Sequence, residues 1–421
     1  MTVTILAGTF GLLACIGVPI AFAMAGATLM TLLIAMPQTP LVVAVSVPLQ
    51  GIDQFVYLAI PLFVFAGALM EKSGISQRLV RLSEECVGWF PGGLNLSVVL
   101  ATILFSGTIG SKLAEASALG TVVFPRLRET GQPAAQSVSI VAAASAMGEM
   151  VPPAVLMIIL ATLANQSVAK LFVASAIPAL VMAATLAIVL IVQALMQRSE
   201  WRRFHLRRTI LALLEAIPAL CVPVVVIGSL ISGFANTTEA GAVAVAIVLV
   251  VGTIYRQLPF SEIPAILLDA ARTSAMAMFI IATASALGYI LAMNSVPQAI
   301  GSWFLGFSSS PILFMIFSSA VFIILGSVLE GLPAVLIFLP IFLPIASQLH
   351  INPIQYLVTI VGASGIGIFL PPVGVGVNLL AGLGHATIRS VIRPITPLIG
   401  SQVIALLLII LFPAFSLSLI K

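Results

Sequence analysis

The chain has 421 residues, with 17 Lys+Arg and 13 Asp+Glu, so only 7% are charged against 61% apolar, at a mean hydropathy of +1.25. A soluble domain carries about 25% charged residues. No water-facing surface can be tiled from so few, and a soluble fold, intrinsic disorder and nucleic-acid binding are excluded. The net charge of +4 is no polyanion signal, because five cations crowd into one short segment: Arg198, Arg202, Arg203, Arg207 and Arg208. In a membrane protein such a cluster marks a cytoplasmic loop.

Met1 to about Met36 has no basic start, and its apolar run is too long for a signal peptide, so it reads as the first membrane helix. Plain apolar spans follow the approximate ranges 3–35, 169–197, 209–232, 238–256 and 393–419. Between them lie shorter apolar pieces broken by Gly, Pro and Ser: Pro61–Met70, Ser97–Phe105, Ala116–Pro125, Val138–Gly148 and Pro153–Leu163. Crossing a bilayer takes about 20 residues. Shorter pieces are half-helices or re-entrant hairpins, which survive at membrane depth only when buried in protein or lining a cavity. A transmembrane barrel would show alternating strands of about 10 residues instead. The fold class is therefore an all-α polytopic membrane protein built as a transporter. Glu71–Trp89 and Ser261–Thr273 hold several of the remaining charges, and each reads as an interfacial amphipathic helix. Cys15 and Cys221 lie in apolar runs and read as buried thiols.

The chain nearly repeats itself at an offset of 214 to 219 residues. Phe63 answers Phe279, Trp89-Phe90 answers Trp303-Phe304, and Gly110-Ser111 answers Gly326-Ser327. Pro125 answers Pro340, Pro152-Pro153 answers Pro371-Pro372, and Pro178 answers Pro397. This divides the chain into a first repeat half at 1–197, a cytoplasmic basic linker at 198–208 and a second half at 209–421. The first hairpin and broken helix fall at about 92–165, and the second pair at about 310–384. A parallel repeat would give the same offsets, but broken helices facing each other at the midplane usually accompany inversion.

Four matched elements carry the chemistry: FSGTIGSKLAEASALG (105–120), AMGEMVPPAV (146–155), LGSVLEGLPA (325–334) and GIGIFLPPVG (365–374). The Gly-Ser elements read as hairpin tips, where turned backbone brings carbonyl oxygens within reach of a small cation. The Pro-Pro elements read as breaks inside a crossing helix, since proline removes one N–H and frees a carbonyl one turn earlier. The alternative is that both merely kink helices for packing. Lys112, Glu115, Glu149 and Glu330 all fall in or beside these elements. A charge at bilayer depth costs about 2.5–3.5 kcal/mol even on the mild insertion scale, so it needs a cavity and a partner. Lys112 with Glu149 or Glu115 is the expected pair; the competing reading puts Lys112 and Glu115 at the interface, snorkelling into water. His350 and His385 sit near loop ends as solvated residues. Nothing resembles a nucleotide loop, a zinc helix or a nucleophile elbow, so no enzyme activity is expected.

GIDQFVYLAIPLFVFAGALMEKSGISQRLV (51–80), WFPGGLNLSVVLATILFSG (89–107), ISGFANTTEAGAVAVAIVLVVG (231–252), LLDAARTSAMAMFIIATASALGYIL (267–291) and the stretch 340–380, with its PIFLP and PPVG, carry a family resemblance. The chain resembles the large, DctM-like permease subunit of tripartite ATP-independent periplasmic (TRAP) transporters, of the ion-transporter superfamily. That resemblance implies an inverted-repeat, elevator-type secondary transporter with two re-entrant hairpins, in the bacterial inner membrane. It implies import of small organic acids of the dicarboxylate, keto acid or sugar acid class, driven by a cation gradient. It implies a small four-helix membrane subunit (DctQ-like) and a periplasmic solute-binding protein (DctP-like) as partners, and sodium as coupling ion with no other cofactor. The implied substrate and ion site comprises Gly110, Ser111, Gly148, Pro152, Pro153, Gly326, Ser327, Gly367, Pro371, Pro372 and Gly374, with sodium near Gly110, Ser111, Gly326 and Ser327. To these the charge argument adds Lys112, Glu115, Glu149 and Glu330. A stand-alone organic anion carrier of the same superfamily, proton-coupled or sodium-independent, is the alternative.

The chain departs from the family pattern at four points. Lys112 follows Gly110-Ser111 where the family has Ser or Ala, Glu149 stands where it has an uncharged residue, Leu370 replaces Thr, and Ala363 stands where Asn is frequent. A fixed ammonium at Lys112 either occupies the place of a sodium ion, with protons then coupling through Glu149 or Glu115, or binds a substrate carboxylate.

Overall fold

The computed structural model describes residues 1–106, 112–197, 204–329 and 331–420, and among these it contains helices and no strand. Gly110, Ser111, Glu330 and the linker residues Arg198, Arg202 and Arg203 lie outside the described residues. In chain order the helices are α1 (Thr2–Cys15), α2 (Ile20–Ala35), α3 (Val43–Ile52), α4 (Ala59–Lys72), α5 (Ile75–Val87), α6 (Gly93–Phe105), α7 (Lys112–Glu129), α8 (Ala134–Gly148), α9 (Val155–Leu163) and α10 (Val168–Met196). The second half follows with α11 (Leu206–Ile231), α12 (Thr237–Ile254), α13 (Ile263–Met293), α14 (Val296–Phe307), α15 (Pro311–Leu329), α16 (Gly331–Gln348), α17 (Pro353–Ile368), α18 (Val375–Gly384), α19 (Ile388–Leu411) and α20 (Ala414–Leu417). Among the described residues, eight helices are long and apolar enough to cross a membrane.

Local chemistry sets the boundaries. The apolar run 3–35 is two helices and not one, because Gly17 turns at φ +85 and Pro19, which lacks an N–H, precedes α2. The Thr-Glu-Ala of residues 238–240 opens α12 through a capping box: Asn236 Oδ1 accepts from Glu239 N at 2.9 Å, and Asn236 N donates to Glu239 Oε2 at 2.8 Å. Such a cap stabilises a helix start by about 1 kcal/mol. Ser261–Thr273 is no separate interfacial helix, since Ile263–Met293 runs on without interruption. Cys15 and Cys221 are exposed on outward faces and not buried; a bilayer solvates a thiol there as well as a protein core would.

One face of the molecule is assembled by side chains at helix ends. Thr209, at the start of α11, donates to Glu85 O of α5, and Arg81 of α5 pairs with Glu215 of α11 at 2.8 Å. Arg78 lies 3.7 Å over the Tyr255 ring at the end of α12, and Tyr255 Oη donates to Glu215 O. Arg126, near the end of α7, pairs with Glu84. Arg128 Nη2 donates to Gly384 O, which ends α18, at 3.0 Å. This linker face thus collects the ends of α4, α7, α10, α12 and α18 and the beginnings of α11, α13 and α19. Arg126, Arg128, Arg389 and Arg393 share it, the kind of cation excess that the positive-inside rule associates with a cytoplasmic side.

The direction of each helix then follows. α4 runs toward this face and α13 runs away from it. α6 and α7 enter from the linker face and return to it. α15 and α16 enter from the far face, where α14 packs on the end of α16, with Gly301 against Ile345. The broken crossing α8–α9 leaves the linker face, and α17–α18 approaches it. Matched elements therefore run in opposite senses, which makes the repeat inverted. The packing agrees: α12 lies on α4 as α3 lies on α13, α8 lies on α19 as α17 lies on α10, and α8 crosses α17 at the centre. The core follows this centre, where nearly every residue of α8 and α17 is buried.

Candidate functional site

The two helix breaks sit where α8 and α17 end. An α-helical N–H bonds the carbonyl four residues earlier. Pro152 and Pro371 remove that donor, and the carbonyls of Gly148 and Gly367 instead accept tighter bonds from Val151 N and Leu370 N, at 3.0 Å each. Both Pro-Pro bonds are cis. The C-terminus of each helix also carries the negative end of its macrodipole, about half an elementary charge. Each break is thus a place where a positive charge is stabilised.

In the first break that positive charge is already present. Lys112 Nζ donates to Glu115 Oε2 at 2.8 Å and to Ser106 Oγ at 3.0 Å. Ser106 Oγ in turn donates to the Gly148 carbonyl at 2.6 Å. Ser106 ends the first arm of the hairpin, and Lys112 and Glu115 begin the second, so the hairpin closes onto the α8 terminus through these groups. The side chains of Lys112 and Glu115 are 10% and 1% exposed. The expected pairing with Glu115 is formed, and the interfacial, snorkelling arrangement is ruled out by this burial. Gly148 is required sterically, because a Cβ there would lie 2.6 Å from Ser106 Oγ, 2.8 Å from Glu115 Oε1 and 3.0 Å from Lys112 Nζ. Glu115 Oε1 is buried without a hydrogen-bond partner among the described residues. Glu149 is buried just beyond Gly148, at the α8–α17 crossing, where a Cβ at Gly365 would meet the Glu149 Cβ at 3.2 Å and Ala146 O at 2.3 Å. Pro152 and Pro153 are buried. A second monovalent cation held about 4 Å from the ammonium would meet about 4 kcal/mol of repulsion at an effective dielectric of about 20.

The second break is built differently. Gly326, in the last turn of α15, lies against α17: a Cβ on Gly367 would fall 2.5 Å from Ile323 O and 3.1 Å from the Gly326 Cα. Two backbones meet there with no side chain between them. Ser327 Oγ donates within its own helix to Ile324 O at 2.7 Å. Val328 stands at the 216-residue offset from Lys112, so the ammonium is not repeated there. Pro371 is half-buried, Pro372 is exposed, and Gly374 is buried, where a Cβ would strike Ile368 O at 2.5 Å. Ala363 is fully buried inside α17, and Leu370 is half-buried at the break.

Two residues of this region were not singled out by the sequence reading. Ser106 relays the ammonium to the Gly148 carbonyl. Asn378 Nδ2 donates to Gly374 O at 2.9 Å and reaches Pro372 O and Val373 O at 3.3 Å, gathering three carbonyls of the second break. Their sequence signal is position alone: Ser106 precedes the hairpin tip, and Asn378 lies one turn beyond the break. A separate cavity of about 490 Å³ opens on the linker face between α5 and α7, lined by Glu84, Trp89, Arg126, His205 and Arg208 among others. Its charges are those that fix topology. His350 and His385 are exposed turn residues with left-handed backbone, at φ 55 and 56.

Comparison with known proteins supplies the family. The chain is 32% identical over 369 residues to the C4-dicarboxylate TRAP transporter large permease protein DctM of Pseudomonas aeruginosa, covering 87% of this chain and 86% of that one. It is 31% identical over 386 residues to the 2,3-diketo-L-gulonate TRAP transporter large permease protein YiaN of Escherichia coli, covering 91% and 90%. Its fold is similar to that of the YdaH transporter of Alcanivorax borkumensis, at a TM-score of 0.65 and 14% identity over 89% of each chain. The model of the DctM component of the tripartite ATP-independent periplasmic transporter matches residues 7–415. The chain is a polytopic membrane transporter permease, not an enzyme, and belongs to the DctM family.

Proposed function

We propose that this chain is the large permease subunit of a TRAP-type secondary transporter that imports small organic acids across a bacterial inner membrane, driven by a cation gradient. The observation that carries the reading is the family match over residues 7–415, on a fold whose two hairpins close onto two broken helices at the centre. Relatives that move a C4-dicarboxylate and a diketogulonate support the dicarboxylate, keto acid and sugar acid class as substrates. Family membership supports a small four-helix membrane subunit and a periplasmic solute-binding protein as partners.

The packing supports an elevator movement. α6–α9 and α15–α18 interlock through α7 on α18, α8 on α17 and α15 on α17, and they form the body proposed to slide. α12 and α13 each pack on α4, and the three form the frame of this reading. The negative ends of the helix dipoles at the breaks support binding of the coupling cation, sodium in the first instance, beside the substrate.

Reconstitution tests this directly. The permease, the small subunit and the binding protein, combined in proteoliposomes, are expected to import a labelled acid from a panel of dicarboxylates, keto acids and sugar acids only under an imposed inward cation gradient. Equal uptake by the permease alone would contradict the three-component reading and favour a stand-alone carrier. Equal uptake without any gradient would contradict secondary active transport.

A further inference from the structure

We propose that the Lys112 ammonium is a built-in cation, and that the first break consequently takes no sodium ion. The inference rests on the family reading above for the expectation that a sodium ion belongs at each hairpin tip. The residues of the first break do not fit that ion. The Gly148 carbonyl accepts both Val151 N at 3.0 Å and the Ser106 hydroxyl at 2.6 Å. The same hydroxyl accepts Lys112 Nζ at 3.0 Å, and the Glu115 carboxylate holds that ammonium at 2.8 Å. Among the described residues, the Ser106 hydroxyl and one Glu115 oxygen already face a cation that is covalently tethered, and the Gly148 carbonyl is bound to that hydroxyl.

The neighbouring carboxylate also argues against Lys112 as a substrate ligand. An organic anion reaching the 10%-exposed ammonium would have to lie against Glu115, a like charge. The charge of Lys112 is thus used inside the protein. The second break has Val328 at the position corresponding to Lys112 and keeps its capacity for an ion. Transport would then couple to one fewer sodium ion than in a chain with uncharged residues at both tips. The repulsion between an ammonium and a nearby cation corresponds to roughly a thousandfold loss of affinity.

Equilibrium binding of radioactive sodium to the purified full chain in detergent, counted per chain, tests this without substrate or partners. Its outcome is therefore separate from that of the transport assay. Lys112→Ser leaves the oxygens of Ser106, Glu115 and Gly148 facing an open space, and this variant is expected to bind one sodium ion more than the unaltered chain. A folded Lys112→Ser that binds the same number overturns the proposal. Should that variant elute as aggregate in gel filtration, the unaltered chain decides: two sodium ions per chain overturn the proposal, and one or none sustains it.

Discussion

The two helix breaks share a backbone plan and differ in what fills them. In each, a Pro-Pro pair ends a central helix at or beside a glycine, and the hairpin of the same half packs on that end. The first is sealed by side chains, with the chain Lys112–Ser106–Gly148 and the carboxylate of Glu115 beside it. The second is sealed by backbone, with Gly326 against Gly367 and Asn378 gathering the carbonyls beyond the turn. The first break is buried throughout, whereas Pro372 and Val373 of the second are exposed. Inverted repeats preserve geometry because packing demands it, and they leave the charges at matched positions free to diverge.

The largest expected effect comes from breaking the ion pair. Lys112→Met leaves a buried, unpaired carboxylate and should lower unfolding stability by about 3–5 kcal/mol in sodium-free detergent solution. A thermal-unfolding scan would read this. Gly367→Ala should follow at about 1–3 kcal/mol, because the new methyl meets backbone atoms that cannot rotate away. The same scan on Gly306→Ala, where a Cβ would meet open space, provides a comparison expected to stay within about 0.5 kcal/mol. Asn378→Ala should cost about 1 kcal/mol in stability, while weakening sodium and substrate binding more than it weakens the fold; titration of both ligands against the unaltered chain checks that split. Arg81→Ala removes an exposed pair with Glu215 and should change stability by less than about 1 kcal/mol with transport intact.

The hairpin arms and half-helices were legible in the sequence, because 9- to 15-residue apolar pieces bounded by Gly, Ser and Pro cannot cross a bilayer alone. Ser97–Phe105 became part of α6, and Pro153–Leu163 became α9 after its two prolines. The scarcity of charge singled out Lys112 and Glu115, which the fold buries as a pair, but pairing is a matter of rotamers and distance, which spacing does not contain. The inversion was likewise hidden, since offsets are blind to direction. It emerged from contacts such as Arg128 with Gly384 that tie distant helix ends to one face. The split of 3–35 and the continuity of Ile263–Met293 were missed for opposite reasons: one turn is hidden in an apolar run, and one helix passes through a polar patch. Ser106 and Asn378 were invisible because a single hydroxyl or amide near a turn is ordinary until its partners are known.

A double-mutant cycle between Lys112 and Glu115 tests the central claim most directly. Unfolding stability would be measured for the unaltered chain, Lys112→Met, Glu115→Leu and the pair together. The account predicts that the double variant is destabilised far less than the sum of the two single changes, with a coupling of about 2 kcal/mol or more. Strict additivity would contradict it, because the ammonium and carboxylate would then not be sealing the first break together.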